Sequence, residues 1–436
     1  MNIPLLILIA GMPLVLTARG QAVSAFPPAT GAAESGTARD ARIDAGAPIT
    51  ADQTETKAAR VFGLESSYSA DVFGIVAGGR QRAVVYRGLG EASLHCNLAA
   101  AAGLPAGTTL RVSALYPHGG NLSARRVGDL QGASNIEAYN HPLLYETWLG
   151  GTFGGDRVSW RAGRLVADGD FATTESGGVF LNSSFGWPAF ISGNTRNTGP
   201  AFYRSALGVS ARFAVARNIQ VQAGVYDGDS FDDPDGDPSR HPGSLHLELG
   251  GGQGRFSLFE VVFERPIGPP GTFKIGAWHH TGEFADQFDP ERNHAGNHGV
   301  YAVAEQLLWR EAAVGQGDPQ GLTVFARAGF SPGDRSFFAH TWDMGLNYTG
   351  LVPGRDADTF GLGMASVRIS DAYRRAERAA GMEFPSDYER VVELSYRFVV
   401  REYCQLVPNL QWIQHPGGSR TLPDALLLGL RSRFTF

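Results

Sequence analysis

The sequence predicts an all-β protein, a transmembrane antiparallel β-barrel of about sixteen strands with long loops at one end and short turns at the other. Three observations predict it. Apolar residues alternate with period two from Tyr68 to the C-terminus. Connection lengths tend to alternate between long and short, and charges gather on the strand face opposite the apolar one.

The alternation is repeated along the chain. Ile219, Val221, Ala223 and Val225 interleave with Gln220, Gln222, Gly224 and Tyr226. Phe259, Val261 and Phe263 interleave with Glu260, Val262 and Glu264, and Phe273, Ile275 and Ala277 with Thr272, Lys274 and Gly276. Val392, Leu394, Tyr396 and Phe398 interleave with Glu393, Ser395 and Arg397, and Leu426, Leu428 and Leu430 with Leu427, Gly429 and Arg431. A soluble sandwich shows the same period, so alternation alone does not choose.

The connections choose. Long ones are expected at 118–139, 168–200, 228–254, 282–296, 371–387 and 417–424, and short ones at 154–155, 217–218, 266–271 and 400–402. The 331–336 connection breaks the rule by being short. Long loops at one end and tight turns at the other are the outer-membrane arrangement, and an even strand number brings both termini to the periplasmic side. The chain ends on Arg433-Phe434-Thr435-Phe436, an alternating strand closed by an aromatic residue, a common ending of such barrels that their assembly machinery reads.

Composition sets the remaining bounds. The chain has 436 residues with 57 Gly, 2 Cys and a net charge of −6. The mild acidity argues against a nucleic-acid partner. Mean hydropathy is −0.13, which is compatible with strands that meet lipid with every second side chain. Residues 1–25 read as a signal peptide, with a short apolar run from Ile3 to Leu16 and Val23-Ser24-Ala25 before the cut, although no Lys or Arg precedes the run. Residues 26–62 read as a flexible periplasmic leader, poor in large apolar residues, and 63–436 as the barrel.

With the apolar set toward lipid, Arg111, Arg161, Lys274, Arg327, Arg397, Arg431 and Arg433 face the lumen together with Glu260, Glu264 and Glu393. An Arg or Lys facing lipid near the midplane costs about 2–4 kcal/mol, so these charges fix the inside. Guanidinium and carboxylate groups each hydrogen-bond hydroxyls, which suits a neutral polyol; they equally suit pairing with one another. The 168–200 segment carries Asn182, Phe185 and Trp187 in a run dense in amides and aromatics, too long for an ordinary turn. It is expected to fold into the lumen or to cap the wall.

Several segments resemble the carbohydrate-selective porins of the OprB type. They are Gly345–Arg355 (GLNYTGLVPGR) with Asp358 and Gly361-Leu362-Gly363, Pro408–Gly418 (PNLQWIQHPGG), and Leu428–Arg431 (LGLR). Gly163-Arg164 with Asp168 and Phe171, Leu181–Gly186 (LNSSFG), and Phe325 through Ser331–Arg335 (SPGDR) fit as well. The resemblance implies a sixteen-stranded barrel in the bacterial outer membrane and passive uptake of glucose-type sugars. It also implies sugar contact by Arg164 and Asp168 beside the fifth strand and by Asn182 and Phe185 in the long loop. Its partners are then sugars, outer-membrane lipid and lipopolysaccharide, with monomer and homotrimer both open.

No catalytic residues, metal ligands or cofactors are assigned, and the chain is not expected to be an enzyme. Asp227–Asp237 resembles a calcium loop but lacks the Glu at its twelfth position. His279, His280, His294 and His298 lack the helix that fixes zinc ligands, and Gly250–Gly254 opens no helix. A barrel enzyme and a secreted polysaccharide-active β-protein are the rival readings. Cys96 and Cys404 fall three strand spacings apart, about 14 Å, beyond the roughly 7 Å a disulfide spans; free thiols on the outer face are expected.

Overall fold

The computed structural model describes residues 61–233, 235–250, 252–265, 267–311, 320–382 and 387–436. The expected signal and nearly all of the leader lie outside them. In the described residues the chain forms sixteen antiparallel strands that close into one barrel. They are β1 (Phe62–Ala77), β2 (Val84–Asn97), β3 (Thr109–Gly119), β4 (Leu143–Phe153), β5 (Val158–Leu165), β6 (Ala206–Ala216), β7 (Ile219–Asp227) and β8 (Arg255–Glu264). Then come β9 (Gly271–Ala285), β10 (Asn293–Arg310), β11 (Gly321–Phe330), β12 (Phe338–Thr349), β13 (Thr359–Ile369), β14 (Tyr388–Arg401), β15 (Cys404–Gln414) and β16 (Ala425–Thr435).

Closure is physical necessity. An open edge would leave a row of unpaired N–H and C=O groups in lipid, where no water satisfies them. Here β16 pairs with β1 in the register Tyr68↔Phe434 and Asp71↔Arg431, and no edge remains. The register also fixes the faces. Ile275 is 71% exposed while Trp278, three residues on, is buried; Leu428 and Leu430 are exposed while Leu427 and Arg431 are buried. The alternation read from the sequence is therefore lipid-out and lumen-in. Two stacked sheets with a dry middle are excluded.

The long connections, 120–142, 166–205, 228–254 and 370–387, all leave the same end, which is the outer face in barrels of this class. Three details differ from the sequence expectation. β1 begins at Phe62, inside the segment assigned to the leader. The 282–296 connection is only 286–292, because β9 and β10 stay paired beyond a bulge at Ala295/Asn297 up to Ala285↔Asn293. And the inner wall is not uniformly polar. Phe73, Ile75 and Leu427 point inward and are buried with Leu122 and Val127 of the 120–142 loop. Tyr301 and Val303 are buried in a cluster with Phe171, Phe190 and Ile191 of the 166–205 loop. Loops that fill the lumen give apolar inward residues something to pack on.

Cys96 and Cys404 are free, as expected, on β2 and β15, with β1 and β16 between them.

The sidedness makes a sharp contrast at neighbouring positions. Leu430→Arg places a guanidinium on lipid in mid-strand and is expected to cost about 2–4 kcal/mol in urea-driven unfolding from vesicles. A cost near zero would contradict the assignment of faces.

Candidate functional site

The 166–205 loop leaves β5, enters the barrel and is held along the opposite wall. Its backbone makes the bonds. Ala172 N donates to Glu260 on β8 at 2.8 Å, and Glu175 N and Ser176 N donate to Glu305 on β10. Leu181 N and Asn182 N donate to Glu393 on β14 at 2.6 and 3.0 Å. Carbonyls are met by cations and amides: Arg327 on β11 donates to Ala172 O, Ser184 O and Gly186 O, and Asn347 on β12 to Ser176 O. Buried irregular backbone requires such partners, and the wall charges supply them.

The 120–142 loop joins it. Leu130 N and Gln131 N donate to Glu389 on β14, Ser134 Oγ donates to Asp71 on β1 at 2.7 Å, and Gln411 on β15 donates to Ala133 O. The loops bond each other through Ser183 N→Gly132 O and Asn135 N→Leu181 O. Glycines on the inner wall make room. A Cβ at Gly329 would overlap the Phe190 ring, and one at Gly363 would stand 2.7 Å from Phe185. The two loops together narrow the lumen, and the first part of the 166–205 loop lies on β5–β9.

The barrel wall carries a continuous polar network. Arg111 Nη1 lies 3.0 Å from His95 Nε2, and Arg111 pairs with Glu146 at 3.3 Å. Trp148 donates its Nε1–H to Glu146 at 3.2 Å, and the Arg161 guanidinium stands 5.4 Å from the Trp148 ring while pairing with Asp170 of the loop. Arg212 donates to Gln222, which donates in turn to Glu260 at 2.7 Å and to Asp170 O; Tyr301 OH donates to Glu260. Arg212, Lys274, Trp148 and Trp187 remain partly exposed beside these buried groups. On the facing strands Arg431 pairs bidentately with Asp71 at 2.6 and 2.7 Å, and Arg433 on β16 attracts Glu91 on β2 across β1.

The residues singled out from the sequence thus divide. Arg111 and Arg161 sit in the wall network, and Lys274 donates to Thr173 of the loop. Trp187 is partly exposed and donates to Thr198 O at 2.8 Å. Arg397 donates to Thr359, and Arg431 is held by Asp71. Glu260, Arg327 and Glu393 face inward, but their polar atoms are occupied by loop backbone and wall side chains. Phe185 is sealed between Phe180 and Phe325, and Asn182 is buried, capping Ser184 N, so neither presents itself to the lumen. Arg164 bonds Ser205, Ser244 and His246 O, tying the outer loops together.

Asp168 accepts the Phe202 N–H at 2.8 Å. Desolvation pushes its carboxyl up to about 7, with that N–H pulling the other way. Asp170 is likewise raised to about 6, by desolvation opposed by Arg161.

Glu146, Trp148, Asp170 and Arg212, and the whole part played by the 120–142 loop, were missed in the sequence. Glu146 and Trp148 alternate with Thr147 and Leu149, and Arg212 stands between Ala211 and Phe213; these were the available signals. Glu305 shares a face with the apolar Tyr301 and Val303, and that face is the inner one.

Two outcomes follow. Gly329→Val should push Phe190 and its loop off the wall and raise single-channel conductance, with heat-modifiable mobility on gels retained; unchanged conductance would mean the loop does not set the opening. As pH rises through 7, Asp168 gains its negative charge, so cation selectivity should increase between pH 6 and pH 8. Asp168→Asn should flatten that response in reversal-potential measurements.

Comparison with known proteins agrees with this architecture. Residues 81–436 match the profile described as carbohydrate-selective porin, OprB family. Porin B of Pseudomonas aeruginosa is 23% identical over 358 residues, 73% of this chain and 75% of that one. A putative porin, QuiX, of Acinetobacter baylyi is 22% identical over 359 residues, 76% of this chain and 78% of its own. The high-pH structure of Pseudomonas putida OprB superposes with a TM-score of 0.78 at 20% identity, covering 88% of this chain and 96% of that one. With a family match across most of the chain and a closed sixteen-stranded barrel, the protein belongs to the carbohydrate-selective porin family, OprB, of Gram-negative outer membranes.

Proposed function

We propose that this porin lets glucose-type mono- and oligosaccharides diffuse passively from outside into the periplasm, and that it does so without catalysis. The observation that carries the reading is the set of partly exposed side chains inside the barrel, Arg212, Lys274, Trp148 and Trp187, backed by the buried pairs Arg111–Glu146 and Arg161–Asp170. Sugar hydroxyls accept hydrogen bonds as water does, so they exchange water for the Arg212 and Lys274 donors with little net loss. The mixture of signs offers neither cations nor anions a uniform field. Trp148 and Trp187, partly exposed, offer flat apolar faces to the C–H side of a pyranose.

Lys274 and Asp168 border the same passage in this reading, while Glu260, Arg327 and Glu393 shape it by holding loops and Arg164 ties the outer loops together. Contact must stay weak, since a conducting site that held sugar tightly would block itself. The assembly machinery of the outer membrane is proposed to read the last strand, whose Phe436 N donates to Ser66 O.

The test is current noise or block by glucose in planar bilayers. Trp148→Ala and Trp187→Ala should each weaken sugar block by roughly tenfold, equivalent to about 1.4 kcal/mol, with conductance retained. Arg164→Gln should leave sugar block unchanged. Equal sugar response in wild type and both Trp variants would move the site elsewhere, and absence of conductance would overturn the channel reading.

A further inference from the structure

At the outer rim the connection between β1 and β2 (residues 78–83) is sewn to the 120–142 loop. Arg80 N and Gln81 N both donate to Arg126 O at 2.9 Å. The Arg126 guanidinium donates to Gln81 Oε1, and Arg80 donates to Ala124 O at 2.7 Å. This zipper gathers Arg80, Arg82, Arg125 and Arg126 into one stretch of rim. Among the described residues no carboxylate pairs with any of the four. The loop's own Glu137 is taken by Leu122 N and Ser123 N.

Beside these arginines lies a groove of about 580 Å³ bounded by Val84, Tyr86, Asn121, Arg125, Arg126 and Asn140. Inward Val85 and Arg87, both buried, line it together with Val84, 77% exposed, and Tyr86, 43% exposed, which lie on the lipid-facing side of β2. On that side, Tyr68, Tyr86 and Tyr116 surround His118 with ring centroids 5.9, 5.9 and 5.0 Å from it. Tyr68 OH bonds Tyr86 OH and lies 3.0 Å from His118 Nε2. Gly88 is needed there, since a Cβ would overlap the His118 ring. Farther along the same face Ala92 and Ala114 are exposed and small.

Aromatic rings with one polar end settle at the headgroup level of a bilayer, which sets the height of this patch. Guanidinium groups concentrated at that height without carboxylates favour phosphate, which they bind through paired donors. The ligand must also offer an acyl surface to a wall made of small and apolar residues. We propose that the rim of β1–β3 binds a phosphorylated glycolipid of the outer leaflet, of the lipid A type. Its phosphates meet Arg125 and Arg126 with Arg80 and Arg82 alongside, its sugars lie over Tyr86 and Tyr116, and its acyl chains run down past Ala92 and Ala114.

Native mass spectrometry of the full-length protein in detergent tests this with three probes: bisphosphorylated lipid A, monophosphorylated lipid A and phosphatidylglycerol. The wild-type protein should retain bisphosphorylated lipid A at least tenfold better than the monophosphorylated form, and phosphatidylglycerol least. Arg125→Gln/Arg126→Gln should abolish that preference while heat-modifiable mobility and conductance stay as in wild type. Equal retention of all three probes by the wild-type protein would overturn the proposal, and this arm needs no variant to fold. A double variant that changes the oligomeric state but still prefers bisphosphorylated lipid A would overturn it too, assigning the rim to contact between copies of the chain.

Discussion

Irregular backbone placed inside a barrel has to find hydrogen-bond partners, and that requirement organises this structure. Two loops, 120–142 and 166–205, run through the lumen, and their N–H and C=O groups end on Glu260, Glu305, Glu389, Glu393, Arg327 and Gln411 of the wall. Each unmet buried group would cost about 1–3 kcal/mol. The wall charges are therefore first of all the docking points of the constriction. The lipid-out, lumen-in alternation is what places them there, since the same side chains turned outward would face hydrocarbon.

With the loops fixed, a second set of charges is packed into the wall, only Arg212 among them partly exposed. Arg111, Arg161, Arg212, Glu146 and Asp170 pair across strands β3–β7 and the loop, so neither sign dominates. Buried pairs of this kind add little to stability because desolvation offsets their attraction. Their value lies in geometry: a polar surface of fixed shape, with Trp148 held by Glu146 and lying beside Arg161. The passage is thus built by two populations of wall residues with the same chemistry and different tasks.

Much of the fold was legible in the sequence because a two-residue period survives anything the loops do. Ile275 against Lys274, or Leu430 against Arg431, announces its side directly. The site was less legible. Glu393 and Arg327 were recognisable as inward, but their partners are backbone atoms more than a hundred residues away, which no side-chain pattern marks. The family resemblance implies sugar contact by Phe185, and nothing local in the sequence reveals that Phe180 and Phe325 close over it. Inward apolar residues such as Phe73 and Val303 broke the polar-inside expectation, and they do so where a loop lies on top of them. The contribution of the 120–142 loop was invisible for the same reason: its Gly132 and Gln131 acquire meaning only beside Ser183 and Glu389.

The account stands on loop amides bonded to wall carboxylates within the barrel. Residue-resolved hydrogen exchange of the folded protein in micelles reads those amides directly. The N–H groups of Ala172, Ser176, Leu181 and Asn182 should exchange at rates close to those of the adjoining strands. Exchange at the rate of a solvated loop would contradict the constriction described here.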